Sequence, residues 1–399
     1  MKKVMLVFGT RPEAIKMLPV ARELRRDPNL QVKTVATAQH RELLDQALRE
    51  FGETPDVDLD LMSPKQSLEN LTALILTRVS VLLRDERPDL LLVHGDTTTA
   101  FASALSGFYA QIPVGHVEAG LRSHDLARPW PEEMNRVMID NVATLMFAPT
   151  ENAAAELRNE YNRHSSIHVT GNTGIDALLS VYRRLEASEA VGCERWSVPM
   201  DIGPDERVIL VTAHRRESFG DGFERICDAL ALIAAKHRVR IVYPVHLNPR
   251  VRAMVTRRLK SLQRVSLIEP VGYFDMVRLM RRATIILTDS GGLQEEGPAL
   301  GRPVLVMRDV TERPEAISTG VVKLVGTTPK VIEREVAELL DDPVHYTHVA
   351  RPVFPYGDGT ASRKIADIIS SRFLSLDRAS PPFNGEPAAL VRAQMGKQP

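Results

Sequence analysis

The chain has 399 residues, of which 44% are hydrophobic and 26% charged, and its 51 Lys and Arg balance 51 Asp and Glu. The length predicts two or three domains at about 150 residues each. The charge balance argues against a nucleic-acid-binding protein, whose footprint is a basic excess, and against a polybasic membrane anchor.

The first apolar run, Val4–Phe8, predicts a buried strand, followed by a helix from about Pro12 to Arg26. Gly9-Thr10-Arg11-Pro12 cuts the run too early for the apolar region of a secretory signal. No later stretch nears the roughly 20 apolar residues of a membrane span. Two cysteines, Cys193 and Cys227, exclude a disulfide scaffold and a four-cysteine zinc site. Together these features predict a cytoplasmic protein. Val32–Ala36, Leu90–His94, Val114–Glu118 and Leu145–Ala148 continue the strands, each followed by a helical stretch. A helix at about Thr173–Ala190 and an irregular stretch around Gly192–Asp205 then intervene. A second series follows: Arg207–Thr212, Arg240–Tyr243, Val265–Ile268, Thr284–Thr288, Pro303–Val306 and Val321–Val325. Near-continuous apolar strands between helices indicate parallel sheets covered on both faces, so the class is α/β. Two doubly wound domains are expected, 1–171 and 172–359, with a helix at about 360–375 returning to the first. The proline-rich end, 376–399, reads as a disordered tail.

Ligands of such sheets bind beyond the carboxyl ends of the strands, so the residues there carry the information. After the first strand, Arg11 and Lys16 flank a helix N-terminus that attracts anions; alternatively they are solvated cations on a helix face. In Gly95-Asp96-Thr97-Thr98-Thr99, Asp96 is either a carboxylate at the sheet edge or an N-cap. Glu118 closes an apolar strand, an odd choice for packing, and is either a site carboxylate or the partner of Arg122. Glu132 and Glu133 open a helix after Pro129-Trp130-Pro131, where two glutamates also serve as ordinary dipole complements. His214-Arg215-Arg216 follows a strand directly and suits a polyanion, or is an exposed charged loop. His246 repeats that pattern more weakly, or is a satisfied structural histidine. The strongest signal is Thr288-Asp289-Ser290-Gly291-Gly292-Leu293-Gln294-Glu295-Glu296, in which two glycines open a helix that Ser290 can cap. Its free N–H groups suit a phosphate, and Glu296, one turn in, suits a ribose diol. Arg313 adds a cation near the same edge. There is no nicotinamide fingerprint, no Walker-type phosphate loop and no cluster at metal-ligand spacing, so neither cofactor nor metal is expected.

The segments GTRPEAIK, TAQHRELLDQ, VHGDTTT, GHVEAGLR, PWPEEMNR, TGNTGIDAL, TAHRRESFG, YPVHLNP, TDSGGLQEE, RDVTERPEA and PYGDG stand in one order from Val4 to Ile369. In that order they closely resemble the non-hydrolysing bacterial UDP-N-acetylglucosamine 2-epimerases. The resemblance implies a GT-B-like pair of Rossmann-like domains facing across a cleft, closing on the nucleotide sugar, in a homodimer. It implies interconversion of UDP-GlcNAc and UDP-ManNAc through elimination of UDP, supplying ManNAc for surface polysaccharides. By the same resemblance Asp96, Glu118 and Glu132 are the catalytic carboxylates, joined by His214. Arg11, Lys16, His214 and Arg313 are ligands of the diphosphate and nearby groups; Ser290, Gly291, Gly292 and Glu296 complete the nucleotide site. Gln39, His40 and Arg41 fall where many members bind a second, allosteric UDP-GlcNAc. Where some relatives place an aromatic near the uracil this chain has Met276, with Phe274 close by. Ser218 stands for the usual Asn and Gly297 for the usual Ala. A glycosyltransferase of the same fold and a hydrolysing epimerase are competing readings, and a catalytically dead nucleotide-sugar sensor is a third, against which the intact carboxylates Asp96, Glu118 and Glu132 speak.

Overall fold

Each apolar run of the sequence lies inside a parallel sheet. The computed structural model describes residues 1–38, 41–62, 66–160, 166–190, 202–203, 205–213 and 220–376. The first half holds β1 (Lys2–Phe8), α1 (Arg11–Leu24), β2 (Leu30–Ala36), α2 (Arg41–Phe51), β3 (Val57–Asp58), α3 (Leu68–Glu86), β4 (Leu90–His94), α4 (Thr98–Tyr109), β5 (Val114–Val117), α5 (Glu132–Val142), β6 (Leu145–Ala148), α6 (Glu151–Glu160) and β7 (Ser166–Val169). After α7 (Thr173–Ala190) the second half holds β8 (Arg207–Thr212), α8 (Asp221–Lys236), β9 (Val239–Pro244), α9 (Pro249–Leu259), β10 (Val265–Ile268), α10 (Tyr273–Arg282), β11 (Ile285–Thr288), α11 (Gly291–Ala299), β12 (Val304–Val306), α12 (Pro314–Ser318), β13 (Val322–Leu324), α13 (Pro329–Asp341) and α14 (Pro343–Val349). The chain ends in α15 (Ala361–Leu376).

The first sheet runs β3-β2-β1-β4-β5-β6-β7 and the second β10-β9-β8-β11-β12-β13, and the strands pair in parallel. The physical cause is visible in β1. Val4 to Phe8 are all fully buried, so both faces of the strand are covered. Val4, Leu6 and Phe8 join one apolar cluster and Met5 and Val7 another, as the two-residue period of a strand requires. Each such side chain contributes about 1.5–3 kcal/mol of burial. The cluster that holds Val4, Leu6 and Phe8 continues through α1, α7 and α10 to Val208, Leu210 and Ile286 of the second sheet. The two halves therefore share one apolar seam.

Three differences from the sequence reading have local causes. The edge strands β3 and β7 escape a search for apolar runs, because an edge strand needs no second covered face. The strand expected to end at Glu118 ends at Val117, because Glu118 turns out of the ladder at φ 68°. The helix expected from Pro12 begins at Arg11.

The chain passes between the halves twice, and the two crossings touch. The Asn172 amide donates to the Tyr356 carbonyl at 2.6 Å, and Gly171 (φ 97°) packs on Gly357 (φ 114°). Both φ values lie where glycine alone is comfortable. Helix α15 then lies against α1 and α7. Asp176 of α7 accepts from the first amides of α15, Ala361 at 3.2 Å and Ser362 at 2.7 Å. Among the described residues no helix is long and apolar enough to cross a membrane, and no group of three or more His, Cys, Asp or Glu stands ready for a metal ion. The tail beyond 376, read from sequence as disordered, lies outside the described residues.

In each sheet the order reverses at one place, between β1 and β4 and between β8 and β11. A parallel sheet opens a crevice at such a point. The turns there carry Arg11, Asp96 and Ser290.

Candidate active site

Glu13 ties the two turns of the first crevice together. Its carboxylate accepts from the amides of Gly9 at 3.0 Å and Thr10 at 2.8 Å and from the Thr97 hydroxyl at 2.7 Å. Thr97 in turn caps α4, accepting from the Ala100 amide at 3.0 Å. The cap is thus Thr97, which rules out that role for Asp96. The Asp96 carboxylate instead meets Arg136 of α5, and Asn135 donates to the Asp96 carbonyl at 2.8 Å.

Glu118 sits at left-handed φ, a conformation costly for a residue with a side chain and most often kept at functional sites. Its carboxylate pairs with Lys16 and accepts from the Asn172 side chain at 2.9 Å. The alternative partner, Arg122, goes elsewhere, to Asp140 at 2.8 Å and Glu160 at 2.7 Å. Burial by itself would push the Glu118 carboxyl up, but Lys16 and His94 outweigh it and hold it well below the usual carboxylate range. Lys16 is pulled down by burial and up, more strongly, by Glu118 and Glu295, so it stays charged. Glu132 and Glu133, equivalent in sequence, separate in the fold. Glu133 is buried and accepts from the amides of Ser123 at 2.8 Å and His124 at 3.1 Å. Glu132 is half-buried at the head of α5, and among the described residues no hydrogen bond or ion pair engages it.

The second crevice supplies the positive side. Ser290 occupies the N-cap position of α11, but its hydroxyl makes no cap hydrogen bond, contrary to the sequence expectation. The Thr288 hydroxyl accepts from the Ser290 amide instead, at 2.9 Å. Gly291 lets Arg313 lie close: a Cβ there would stand 2.7 Å from the guanidinium carbon and would displace it. A cation therefore lies against a helix N-terminus, two features that favour the same anion. Arg313 is held by Glu295 at 2.6 Å and Glu312 at 2.5 Å, which raise its proton affinity further despite burial. Burial pushes the Glu296 carboxyl up to about 7, against the Tyr273 hydroxyl that donates to it at 2.9 Å.

Asn172 joins the crevices, donating to Glu118 at 2.9 Å and to Glu295 at 2.8 Å. Arg11 reaches across to the Val271 carbonyl at 3.3 Å, and Glu50 of α2 accepts from the Tyr273 amide at 2.8 Å. The structure thus brings together Arg11, Lys16, Asp96, Glu118, Ser290, Gly291, Gly292, Glu296 and Arg313 around facing sheet edges. Lys16 is not a solvated cation on a helix face but the partner of Glu118. His214, Ser218, Gln39 and His40 lie outside the described residues. Arg41 is ion-paired with Asp45, Asp58 and Asp60. Phe274 packs edge-on to Phe51 and under Arg184, which commits it to the seam; Met276 is half-buried beside it.

The family model for UDP-N-acetylglucosamine 2-epimerase matches residues 22–370. The chain is 52% identical to the UDP-N-acetylglucosamine 2-epimerase of Escherichia coli strain K12, over 94% of this chain and the whole of the relative. The chain belongs to the UDP-N-acetylglucosamine 2-epimerase family. It is also similar to the crystal structure of the Neisseria meningitidis UDP-GlcNAc 2-epimerase bound to UDP-GlcNAc, at 46% identity and TM-score 0.88, covering 92% of this chain and 100% of that one. Acinetobacter baumannii MurG, at 15% identity, shares the fold with TM-score 0.55 over 93% of this chain and 100% of its own.

Several residues of this epimerase-family site escape the sequence reading. Arg136, Asn172 and Tyr273 are ordinary residues in sequence and gain meaning only from the distant partners just described; Glu13 bonds Gly9 and Thr10 beside it but gains its place in the site from Thr97, 84 positions away. His94 differs. It closes an apolar strand directly before Gly95-Asp96, a polar residue at a buried strand end like Glu118.

Proposed function

We propose that the chain interconverts UDP-GlcNAc and UDP-ManNAc by anti elimination of UDP and its re-addition through 2-acetamidoglucal. The observation that carries this reading is the pairing of a buried, anionic Glu118 with the Arg313–Gly291 anion site across Asn172. Carbon 2 of the sugar has no neighbouring carbonyl, so a base alone cannot make its proton leave. If UDP departs from carbon 1 at the same time, the electron pair of the carbon–hydrogen bond forms the double bond. The carbon–oxygen bond to the diphosphate breaks, and UDP carries its electrons away. Return of the proton on the other face, with re-addition of UDP, completes the inversion. The reaction needs carboxyl groups on both faces in opposite protonation states, for which Asp96, Glu118 and Glu132 are assigned. It also needs fixed positive charge at the diphosphate, for which Arg11, Lys16, His214, Arg313, Ser290, Gly291 and Gly292 are assigned.

The same reading takes residues 1–171 with α15 as one moving unit and 172–359 as the other, hinged at Gly171 and Gly357. Closure keeps the glycal with UDP and away from water. It includes a cytoplasmic homodimer, supported by exposed Phe108, Tyr109 and Met138 on the adjacent helices α4 and α5. It keeps Gln39, His40 and Arg41 for a second UDP-GlcNAc, for which Arg41 must leave its three carboxylates. Incubating UDP-GlcNAc with the protein and no acceptor tests the reading. UDP-ManNAc is the expected product; free ManNAc with UDP identifies a hydrolase, and no turnover without an acceptor identifies a transferase.

Glu296→Ala weakens UDP binding about 10- to 150-fold, the worth of a charge-assisted hydrogen bond to the ribose. Because the Glu296 carboxyl titrates near 7, its protonated form grows as pH falls, and UDP affinity falls with it. Glu296→Gln removes that dependence. The raised value also means that the native state binds the proton more tightly than the unfolded chain. The stability this proton contributes is complete below about pH 4.3 and is lost as pH rises through about 7. Calorimetry of wild type and Glu296→Gln between pH 6 and 8, about one unit either side of that value, checks the assignment; equal pH dependence in both removes Glu296 from the nucleotide site.

A further inference from the structure

Two buried histidines flank Gly95, and only one is accounted for by structure. His116 is satisfied at both ring nitrogens, by Asp140 at 2.6 Å and by the Gly95 carbonyl at 2.8 Å. His94 has an imidazole that is 5% exposed and, among the described residues, makes no hydrogen bond at either nitrogen. Its Nε2 stands 3.6 Å from Oε2 of Glu118. Buried polar groups are rarely left unpartnered, and the exceptions concentrate where chemistry is done.

The neighbours give the histidine its task. Oε2 of Glu118 already receives Lys16 and the Asn172 amide, and His94 approaches that same oxygen. Oε1 is the oxygen left without a hydrogen bond among the described residues. The charged groups that act on His94 are Glu13 from α1 and Glu118 beyond β5; Lys16 of α1 pairs with Glu118, and Glu295 and Arg313 of the second half act on that pair. A donor at Nε2 helps Lys16 fix Oε2 and keep the carboxylate ionised, so that Oε1 faces the substrate.

We propose that His94 is a positioning residue for the proton transfer at carbon 2, acting through Glu118: its Nε2, now 3.6 Å from Oε2, comes within hydrogen-bond reach of about 3 Å when the cleft holds substrate. The proposal rests on the epimerase reading given above. His94→Leu removes the donor and should lower kcat at least about tenfold, with UDP affinity unchanged. With one donor lost, Glu118 holds a proton more readily, so the acid limb of the kcat profile moves to higher pH. His94→Gln replaces the donor at a similar reach and should recover most of the lost kcat. The experiment measures kcat against pH, UDP affinity by calorimetry and Tm for wild type and both variants. A wild type that makes no UDP-ManNAc overturns the epimerase reading itself. A wild type that does, beside a His94→Leu variant within about twofold of its kcat and with the same acid limb, overturns the role of His94. Equal loss of kcat and Tm in both variants also overturns it, because a packing role gains nothing from the restored donor.

Discussion

Asp96→Asn, Glu118→Gln and Glu132→Gln each lower epimerase turnover by about 10²-fold or more, because each neutral isostere keeps the shape of its carboxyl group but cannot take a proton. UDP continues to bind, since its assigned contacts lie mainly on the opposite sheet edge. The three variants differ in stability, and the difference is informative. Glu132 engages no partner among the described residues, so Glu132→Gln leaves Tm near wild type. Asp96→Asn loses the pair with Arg136, and Glu118→Gln strands the buried charge of Lys16, so both melt earlier. Turnover and Tm measured on the three variants separate chemistry from packing. Near-normal turnover in any one removes that residue from the catalytic set.

Lys16→Met has the second large effect. It leaves Glu118 buried beside His94 without its main counter-charge, and breaking such a pair costs about 3–5 kcal/mol. The sign of the pH dependence also reverses. In wild type the Glu118 value is depressed, so its contribution is present above about pH 4.3 and is lost as pH falls through the folded value. In Lys16→Met burial dominates and raises the carboxyl, so stability instead falls as pH rises. Lys16→Met with Glu118→Gln removes both charges and recovers stability without recovering turnover. Denaturation of the single and double variants at pH values about two units apart checks this. A single variant as stable as wild type means that Lys16 and Glu118 do not depend on each other.

The frame of the molecule is legible in the sequence because its signals are local. Leu90–His94, Leu145–Ala148 and Thr173–Ala190 are bounded in the structure as their apolar periodicity predicts. The sheet-edge turns are legible for the same reason: a polar residue directly after a buried strand has few packing reasons to be there. What periodicity cannot supply is the partner. Glu118 with Lys16 spans 102 positions, Asn172 with Glu295 spans 123, and Glu50 with Tyr273 spans 223. Arg122, four positions after Glu118 in the same motif, is the natural local partner, yet it serves Asp140 and Glu160. Thr97 rather than Asp96 caps α4: the threonine hydroxyl accepts from the Ala100 amide, while the Asp96 carboxylate is drawn to Arg136, 40 positions away. The edge strands β3 and β7 lack the double-sided burial that makes a strand readable.

The central claim is that the carbon-2 proton leaves when UDP does. A proton NMR time course of UDP-GlcNAc with this protein in deuterated water tests it most directly. The account predicts UDP-ManNAc carrying deuterium at carbon 2, with deuterium also entering the recovered UDP-GlcNAc. UDP-ManNAc that retains all of its original carbon-2 hydrogen contradicts the elimination and requires another route to the inverted centre.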